Sequence, residues 1–178
     1  MGRASGVLMA VSSLPNSYGI GTFGKEAYDF IDFLVRTKQR YWQVLPLTTT
    51  SYGDSPYQSF SAAAGSPYYI DLKDLEKLGY LKSDDFEDIS FGTSNTCVDY
   101  GALFVNHRRL LNRAFDRFMQ DVPADFEKFC HDHAEWLDPY AEFMSLKEEF
   151  GHKAYWEWSN LYQQRNETTA KEIKKLQK

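Results

Sequence analysis

The residues best equipped for ligand chemistry lie between Tyr41 and Tyr69, a stretch crowded with aromatic and hydroxyl side chains. It holds seven aromatic residues and eight Ser or Thr residues, and Asp54 is its only formal charge. Aromatic rings offer flat apolar faces, while hydroxyl groups supply directional hydrogen bonds. This combination suits a neutral ligand with apolar faces and many hydroxyl groups, as a sugar has. The alternative is an ordered loop that only packs on the core, and composition alone leaves both open.

The same stretch lacks the carboxyl groups that would cleave a sugar. Glycoside chemistry usually needs two carboxyl groups at a defined separation, and here Asp54 has only Asp71 near it, at the far edge of the stretch. Asp54 is equally well explained as a turn residue whose carboxylate caps backbone amides. These residues are therefore predicted to hold a sugar and not to cleave it, and we assign no catalytic residue.

No metal or cofactor site is predicted. His131 and His133 are two residues apart and point to different faces of a helix, without a Cys or carboxylate at metal-binding spacing. The chain contains no GxSxG, no GxGxxG and no phosphate-binding loop.

The elements around the aromatic stretch form a βαβ pattern. Gly6–Val11 is almost wholly apolar, as expected of a strand buried on both faces, and Tyr41–Leu45 is a second apolar run. Between them, Lys25–Lys38 has the apolar period of an amphipathic helix. The loops Ser12–Gly24 and Pro46–Tyr69 both follow strands. Ligand sites of parallel α/β folds lie beyond the carboxyl ends of strands, which favours a functional role for the aromatic loop.

The rest of the chain is predicted to be mainly helical. Residues 102–150 carry three apolar stripes of helical period, the second beginning at Pro123 and the third at Trp136, and they suggest an antiparallel helical cluster. Thr169–Glu172 fits a capping box that would begin a further helix near the end of the sequence.

Charge and composition exclude several partners. The net charge is −5, and residues 1–71 carry five basic and five acidic groups, so nothing resembles a phosphate-binding surface and no nucleic acid is expected. Cys97 and Cys130 are 33 residues apart, without CxxC spacing, and are predicted to be free thiols in a reducing compartment. The sequence has neither a signal-peptide pattern nor a run of 18 apolar residues, so we expect a cytoplasmic protein without membrane contact.

Several segments resemble one enzyme family closely. SSLPNSYGIGTFG, RYWQVLPL, SYGDSPYQSFSAAAGSPYYIDL and, further on, WLDPYAEFMSLKEEFG are similar to the amino-terminal region of the amylomaltases, the 4-alpha-glucanotransferases of glycoside hydrolase family 77. The similarity covers residues 5–160. It implies an α/β fold, the N-terminal part of a (β/α)8 TIM barrel with its first two parallel strands, plus a mainly α-helical insertion subdomain. On this basis residues 1–72 form the first βαβ unit of the barrel, and residues 73–178 form the insertion, truncated at its C-terminal end.

The resemblance also assigns roles to residues of the aromatic loop. Tyr57 is implied to stack on the sugar ring beside the scissile bond, and Ser55 to line the same pocket. Tyr52 matches an aromatic residue of a second, remote glucan site. Asp54 and Gln58 belong to the motif and are implied to shape the loop or to bind sugar hydroxyls.

The implied function is transfer of alpha-1,4-glucan segments between maltooligosaccharides or starch- and glycogen-type glucans, with retention through a covalent glycosyl-enzyme. The family's catalytic Asp, Glu and second Asp come from later barrel strands and do not occur here, and a barrel typically needs about 250 residues. We therefore expect an incomplete N-terminal part, inactive alone, whose partner is the remainder of the barrel. The alternatives are a non-catalytic carbohydrate-binding module and an interaction role for the helical residues 102–150.

Overall fold

The computed structural model describes residues 2–51, 53–94 and 96–163. The chain divides into two compact units, Met1–Val122 and Pro123–Lys178. The predicted capping box at Thr169 lies outside the described residues. No helix in the described ranges has both the length and the apolar character needed to cross a membrane.

The first unit opens with the predicted βαβ arrangement. Strand β1 (Gly6–Leu8) pairs in parallel with β2 (Tyr41–Gln43), and helix α1 (Lys25–Arg36) connects them. The ladder places Val7 opposite Trp42, and the Trp42 indole N–H donates to the carbonyl of Met9 at 2.8 Å. Both strands are shorter than predicted, because after Met9 the chain turns into a 3-10 helix and after β2 it reaches Pro46.

Helix α1 covers one face of these strands. Ala27 and Leu34 are buried, and Phe30 lies edge-on to Trp42 with ring centroids 5.0 Å apart. Val11, Leu14 and Ala27 form the buried centre of this layer, and Trp42 packs against them. The helical period of the sequence therefore predicts the inward side of α1 correctly at Ala27, Phe30 and Leu34, whereas Ile31, which has the same period, is 44% exposed.

The prediction that the first strand is buried on both faces is wrong for the described chain. Gly6 and Leu8 are exposed, with Leu8 at 59% and the neighbouring Tyr41 of β2 at 65%. Parallel strands are buried on both sides only where layers cover both sides. Here α1 supplies one layer, and no described element covers the other face.

A second layer of the first unit forms around α2 and α3. Helix α2 (Leu72–Lys77) is short, and Asp71 caps its N-terminus by accepting from the Asp74 amide. Helix α3 (Tyr100–Phe118) begins at the cap residue Asp99. Four buried side chains from α2, α3 and the segment between them form the core of this layer: Leu72, Leu81, Leu110 and Ala114.

An ion-pair network fastens α3 to the connector that precedes it. Arg117 Nη1 lies 2.5 Å from Asp85 Oδ2 and Nη2 lies 3.0 Å from Oδ1, and Nη1 also donates to the Tyr80 carbonyl at 2.9 Å. Arg113 donates to the Asp85 carbonyl at 2.7 Å. The bidentate geometry is the strong form of this pair.

This network predicts a loss of stability in acid. Hydrogen bonds from Arg117 lower the pKa of Asp85 to about 2. A carboxyl group whose pKa is lowered on folding stabilises the protein above its ordinary pKa, about 3.9, and loses that contribution as pH falls through the folded value. Urea unfolding between about pH 4 and pH 2 should therefore show a decline in the free energy of unfolding that Asp85→Asn reduces. The matched control, Asp84→Asn, should keep the decline, and an unchanged decline in Asp85→Asn would contradict the assignment.

The second unit is dominated by one long helix, α4 (Ala124–Glu149), followed by α5 (Asn160–Gln163). The sequence suggests two separate stripes here, but the helix continues through Pro139, which cannot donate a backbone hydrogen bond. Leu146 and Trp158 are the buried centre of this unit. Lys147, 8% exposed, donates its ammonium group to the carbonyls of His152 and Lys153, where the chain reverses after α4.

Candidate functional site

The aromatic loop that follows β2 is ordered by its own backbone hydrogen bonds. Thr48 and Gly65 form an antiparallel bridge, and the Ser66 amide donates to the Leu47 carbonyl at 2.8 Å. The Thr49 amide donates to the Ala64 carbonyl at 3.3 Å. Residues 47–66 therefore form a closed excursion after β2, with the two ends of the loop hydrogen-bonded to each other, which fits a loop with a defined shape.

The tip of this loop consists of two consecutive turns. The Asp54 amide donates to the Ser51 carbonyl at 3.0 Å, and the Gln58 amide donates to the Ser55 carbonyl at 3.1 Å. The Ser51 amide then closes the tip by donating to the Gln58 carbonyl at 2.9 Å. In the first turn Gly53 has φ +94°, which favours glycine, and Asp54 has φ +54°.

The two turns bring the predicted site residues together. Asp54, Ser55, Tyr57 and Gln58 lie within one closed segment, whereas Tyr52 lies outside the described residues. Tyr57 is 73% exposed and its ring is available to a ligand. The Ser55 hydroxyl lies 3.4 Å from the Tyr57 amide, from which it accepts, so it holds the turn that carries the ring. Gln58 is exposed.

Asp54 fits the turn-residue interpretation through its backbone. Its left-handed φ is typical of Asp in turns, although within the described residues its carboxylate caps no backbone amide. Desolvation raises the pKa of this half-buried carboxyl above its ordinary value.

A shallow, open cleft of about 470 Å³ lies beside Tyr57, within the size range of small-molecule sites. The described residues that line it all belong to the aromatic loop: Pro46, Thr48, Pro56, Tyr57, Ser59, Phe60, Ser61 and Ala62. None of these side chains is charged. The cleft therefore has the composition that the sequence predicts for a neutral, hydroxyl-rich ligand, with an aromatic ring at its edge.

The two loops that follow the strands are tied together at their bases. The Thr22 hydroxyl donates to Asp71 Oδ2 at 2.5 Å, and Asp71 Oδ1 accepts from the Asp74 amide at 3.0 Å. Asn16 donates to the Thr22 hydroxyl at 3.2 Å. Thr22 and Asp71 are both buried, so this network fixes where the aromatic loop ends relative to the first loop. The helical pattern after Asp71 could have identified it as a cap residue.

Tyrosines and a histidine form the layer where the aromatic loop meets α3. The ring of Tyr68 lies 6.2 Å from that of Tyr100 and 5.7 Å from that of His107. Burial raises the pKa of both Tyr68 and Tyr100. His107 is 1% exposed, and desolvation lowers its pKa to about 4, so it is a neutral core side chain near pH 7. Within residues 2–51, 53–94 and 96–163, no three His, Cys, Asp or Glu side chains are arranged to hold a metal ion.

The sequence does not single out three of the cleft residues as ligand contacts: Thr48, Phe60 and Ser61. Their types contributed to the composition argument, but nothing in the sequence orders them around a cavity. The turns at the loop tip and the Thr48–Gly65 bridge bring these three residues together along the cleft.

Comparison with known proteins identifies the family. The model of glycoside hydrolase family 77, described as 4-alpha-glucanotransferase, matches residues 9–178. A 4-alpha-glucanotransferase of Streptococcus pneumoniae (serotype 4, TIGR4) is 56% identical over 158 residues, which is 88% of this chain and 31% of that protein. The 4-alpha-glucanotransferase of Thermus thermophilus is 43% identical over 176 residues, 97% of this chain and 34% of that protein.

A solved structure agrees with these sequences. The amylomaltase from Streptococcus agalactiae in complex with acarbose superposes with a TM-score of 0.92 at 47% identity, covering 99% of this chain and 36% of that one. The chain thus spans about a third of the length of these relatives. Both the family match and the shared fold cover nearly the whole of the sequence, and the chain therefore belongs to glycoside hydrolase family 77.

Proposed function

We propose that this chain supplies the glucan-holding loop and the first strands of a 4-alpha-glucanotransferase. The observation that carries the proposal is the neutral cleft beside the exposed ring of Tyr57, at the carboxyl end of a parallel strand. The relatives named 4-alpha-glucanotransferase and the neighbour that binds acarbose support an oligosaccharide-type ligand for it. The substrates we infer are maltooligosaccharides or larger alpha-glucans.

Within such an enzyme, residues 1–72 are the first βαβ unit of a (β/α)8 barrel and residues 73–178 a mainly helical insertion. The exposed face of β1 and β2 supports this assignment, because a two-stranded parallel sheet with one open face needs further strands and helices. Leu8 and Tyr41 lie on that face. The partner we propose for it is the remainder of a family 77 barrel, corresponding to the two thirds of the relatives that this chain does not span.

The contribution of these residues to the reaction is binding and orientation. Tyr57 presents a ring face to the apolar side of a glucose unit, and Ser55 and Gln58 offer polar groups within the same turn. Asp54 shapes the turn through its backbone and sits where burial disfavours its charge. A retaining transfer needs two carboxyl groups about 5–5.5 Å apart, and we place those groups on the parts of the barrel beyond this chain. We therefore expect no disproportionation of maltotriose by this chain alone.

Cys97 and Cys130 are free thiols, which supports a reducing compartment for this protein. Free thiols are usual in reducing compartments. We accordingly propose a cytoplasmic enzyme.

The proposal is tested by maltotriose binding to the chain and to two variants. Tyr57→Ala should weaken binding about tenfold, because it removes the exposed aromatic surface at the edge of the cleft. Tyr28→Ala is the matched control, because Tyr28 is also a highly exposed tyrosine but does not line the cleft. Saturation-transfer NMR with increasing maltotriose gives the dissociation constants. Equal binding by the Tyr57→Ala and Tyr28→Ala variants would contradict the proposal.

A second experiment, in which the remainder of a family 77 barrel is added, separates the enzyme hypothesis from a free-standing carbohydrate-binding module. A module folds and binds without further chain, so adding the remainder of a family 77 barrel as a second polypeptide would change nothing. Under our proposal that addition produces maltotriose disproportionation, measured as released glucose, and protects the Leu8 and Tyr41 amides from hydrogen exchange.

A further inference from the structure

The core-facing side of α3 contains a histidine that packing alone does not explain. His107 is 1% exposed, and Leu103 and Leu110, one turn away on either side, are fully buried. Both ring nitrogens of His107 are buried, and neither makes a hydrogen bond of ordinary geometry with a described residue. A buried polar group without a partner costs free energy that an apolar side chain would avoid. A histidine here therefore indicates a role beyond filling the core.

The ring of His107 faces the end of the aromatic loop. The ring of Tyr68 meets it edge-on, with the two centroids 5.7 Å apart and an interplanar angle of 80°. Tyr68 lies in the 3-10 helix Pro67–Tyr69, which ends the loop. Desolvation lowers the pKa of His107, and the backbone of Ile70 raises it, so the residue directly after this 3-10 helix also lies beside the ring.

The segment beside this ring also closes the loop. The Ser66 amide donates to the Leu47 carbonyl at 2.8 Å, and an antiparallel bridge joins the neighbouring residues Thr48 and Gly65. Thr48 lines the cleft. A shift of this segment away from α3 would therefore move part of the cleft lining with it.

The titratable and charged groups around this contact give a protonated ring no partner. They come from the aromatic loop, from the segment after it and from α3: Asp54, Tyr68, Asp71, Tyr100 and Arg108. Within the described residues no carboxylate is hydrogen-bonded to the ring of His107, and Asp71 already accepts from Thr22 and Asp74. Burial raises the pKa of both tyrosines, so they stay uncharged in acid. A positive charge on the ring would therefore be buried without compensation.

We propose that His107 is a positioning residue for glucan binding: its buried, uncharged ring holds the end of the aromatic loop on α3 and thereby keeps the cleft in its binding shape. The inference rests on the proposed function and adds to it a residue outside the cleft. Protonation drives the ring toward water, because no carboxylate compensates the charge where it is buried. The end of the loop is then released from α3, and glucan is held less tightly in mild acid.

The positioning role is tested first by maltotriose binding at pH 7. His107→Ala removes the ring under Tyr68 and should weaken binding about tenfold, because the support of the cleft is loosened. His107→Gln keeps a long, uncharged, hydrogen-bonding side chain and should stay within about threefold of the unmodified chain. His131→Ala is the matched control, because the side chain of His131 is 91% exposed, and it should bind as the unmodified chain does. Dissociation constants come from saturation-transfer NMR, and thermal melting by circular dichroism checks folding.

The pH profile of binding tests the requirement for an uncharged ring. Desolvation lowers the pKa of His107 to about 4, whereas an exposed histidine has a pKa of about 6.5. Acid therefore favours the released loop end from about pH 6.5 downward, and at pH 5 the released form gains at most about 20-fold relative to pH 7. Maltotriose has no titratable group, so its dissociation constant should rise about threefold to 20-fold between these pH values. His107→Gln does not titrate and should show no rise.

Two carboxyl groups are separated from this effect by the sign and the range of their titration. Burial raises the pKa of Asp54, so acid favours its folded, protonated form and opposes the release of the loop. Asp54→Asn should accordingly retain the rise in the dissociation constant. Asp85, with a pKa of about 2, loses its stabilising charge only below about pH 4. Circular dichroism at pH 5 checks that the chain remains folded.

The outcomes distinguish this inference from the proposed function. If Tyr57→Ala loses maltotriose binding while a folded His107→Ala variant binds as tightly as the unmodified chain, the positioning role is wrong and the proposed function stands. A dissociation constant that stays the same from pH 7 to pH 5, or a rise that His107→Gln shares, would also overturn the inference. If His107→Ala does not fold, the pH profile of His107→Gln decides alone. If the unmodified chain binds no maltotriose at pH 7, or Tyr57→Ala binds it unchanged, the proposed function fails and the positioning role fails with it.

Discussion

Replacing Gly21 with alanine should lower the free energy of unfolding of the unit Met1–Val122 by about 3 kcal/mol or more. A Cβ atom at this position would stand 2.0 Å from the Val11 carbonyl oxygen and 2.8 Å from the Leu14 backbone nitrogen. Those atoms are joined by the hydrogen bond that closes the 3-10 helix after β1, at 3.0 Å. Both side chains are buried, so the backbone has no room to retreat.

The position of the clash makes the loss of stability larger than that from an ordinary overpacked contact. The Gly21 amide donates to the Ser12 carbonyl at 3.1 Å, which fastens the first loop to the same 3-10 helix. Moving the loop to relieve the clash therefore breaks a second hydrogen bond.

Urea unfolding of the Gly21→Ala variant, with hydrogen exchange of residues 6–14 as the local measurement, gives the size of the loss. Gly65→Ala is the matched control, because Gly65 also lies in a loop and a Cβ atom there meets nothing within 4 Å. The control should stay within about 0.5 kcal/mol of the unmodified chain. Equal stability of the two variants would show that the chain around Val11 adapts easily.

The helices and strands of the first unit follow local patterns, and for that reason the sequence predicts them well. The apolar side chains of residues 25–38 recur with the period of a helix, because one side of α1 packs on the strands. Glycine commonly follows a helix with positive φ. Gly79 after α2 does so, and so does Gly151 after α4 in the second unit.

The errors arise where the answer depends on groups far away in the chain. Leu8 has the apolar character of a doubly buried strand, yet its burial depends on a layer that the described residues do not supply. The helix α4 continues through Pro139, although proline usually favours a break.

The candidate site was predictable in composition and only partly in geometry. Composition points to the Tyr- and hydroxyl-rich loop as a whole, and the family motif singles out Tyr57 within it. The ring of Tyr57 is exposed beside a cleft, and its role in binding stays a prediction. Whether a hydroxyl is free for a ligand depends on the turns around it: Ser59 is engaged, whereas Thr48 makes no hydrogen bond within the described residues. No spacing rule separates these two, because the difference comes from loop closure.

Asp71→Ala should cost about 3 kcal/mol of the free energy of unfolding of the first unit, because the carboxylate performs two tasks at once. Its Oδ1 caps α2 through the Asp74 amide, and its Oδ2 accepts from the Thr22 hydroxyl. Truncation leaves the Thr22 hydroxyl, 1% exposed, without that acceptor. Removing a buried hydrogen-bond partner costs more than removing an exposed cap, since water cannot replace it.

The matched control is Asp99→Ala, which removes the N-cap of α3. The Asp99 carboxylate accepts an exposed hydrogen bond from the Ala102 amide at 2.9 Å. Its removal should lower the free energy of unfolding by only about 1 kcal/mol. Thr22→Val, measured alone and with Asp71→Ala, isolates the contact between the two loops through a double-mutant cycle. If the two losses add without coupling, or if Asp71→Ala costs no more than Asp99→Ala, the bond between the loops does not stabilise the fold. A coupled pair would instead make Thr22 and Asp71 positioning residues, since they anchor the loop that carries Tyr57 to the loop after β1.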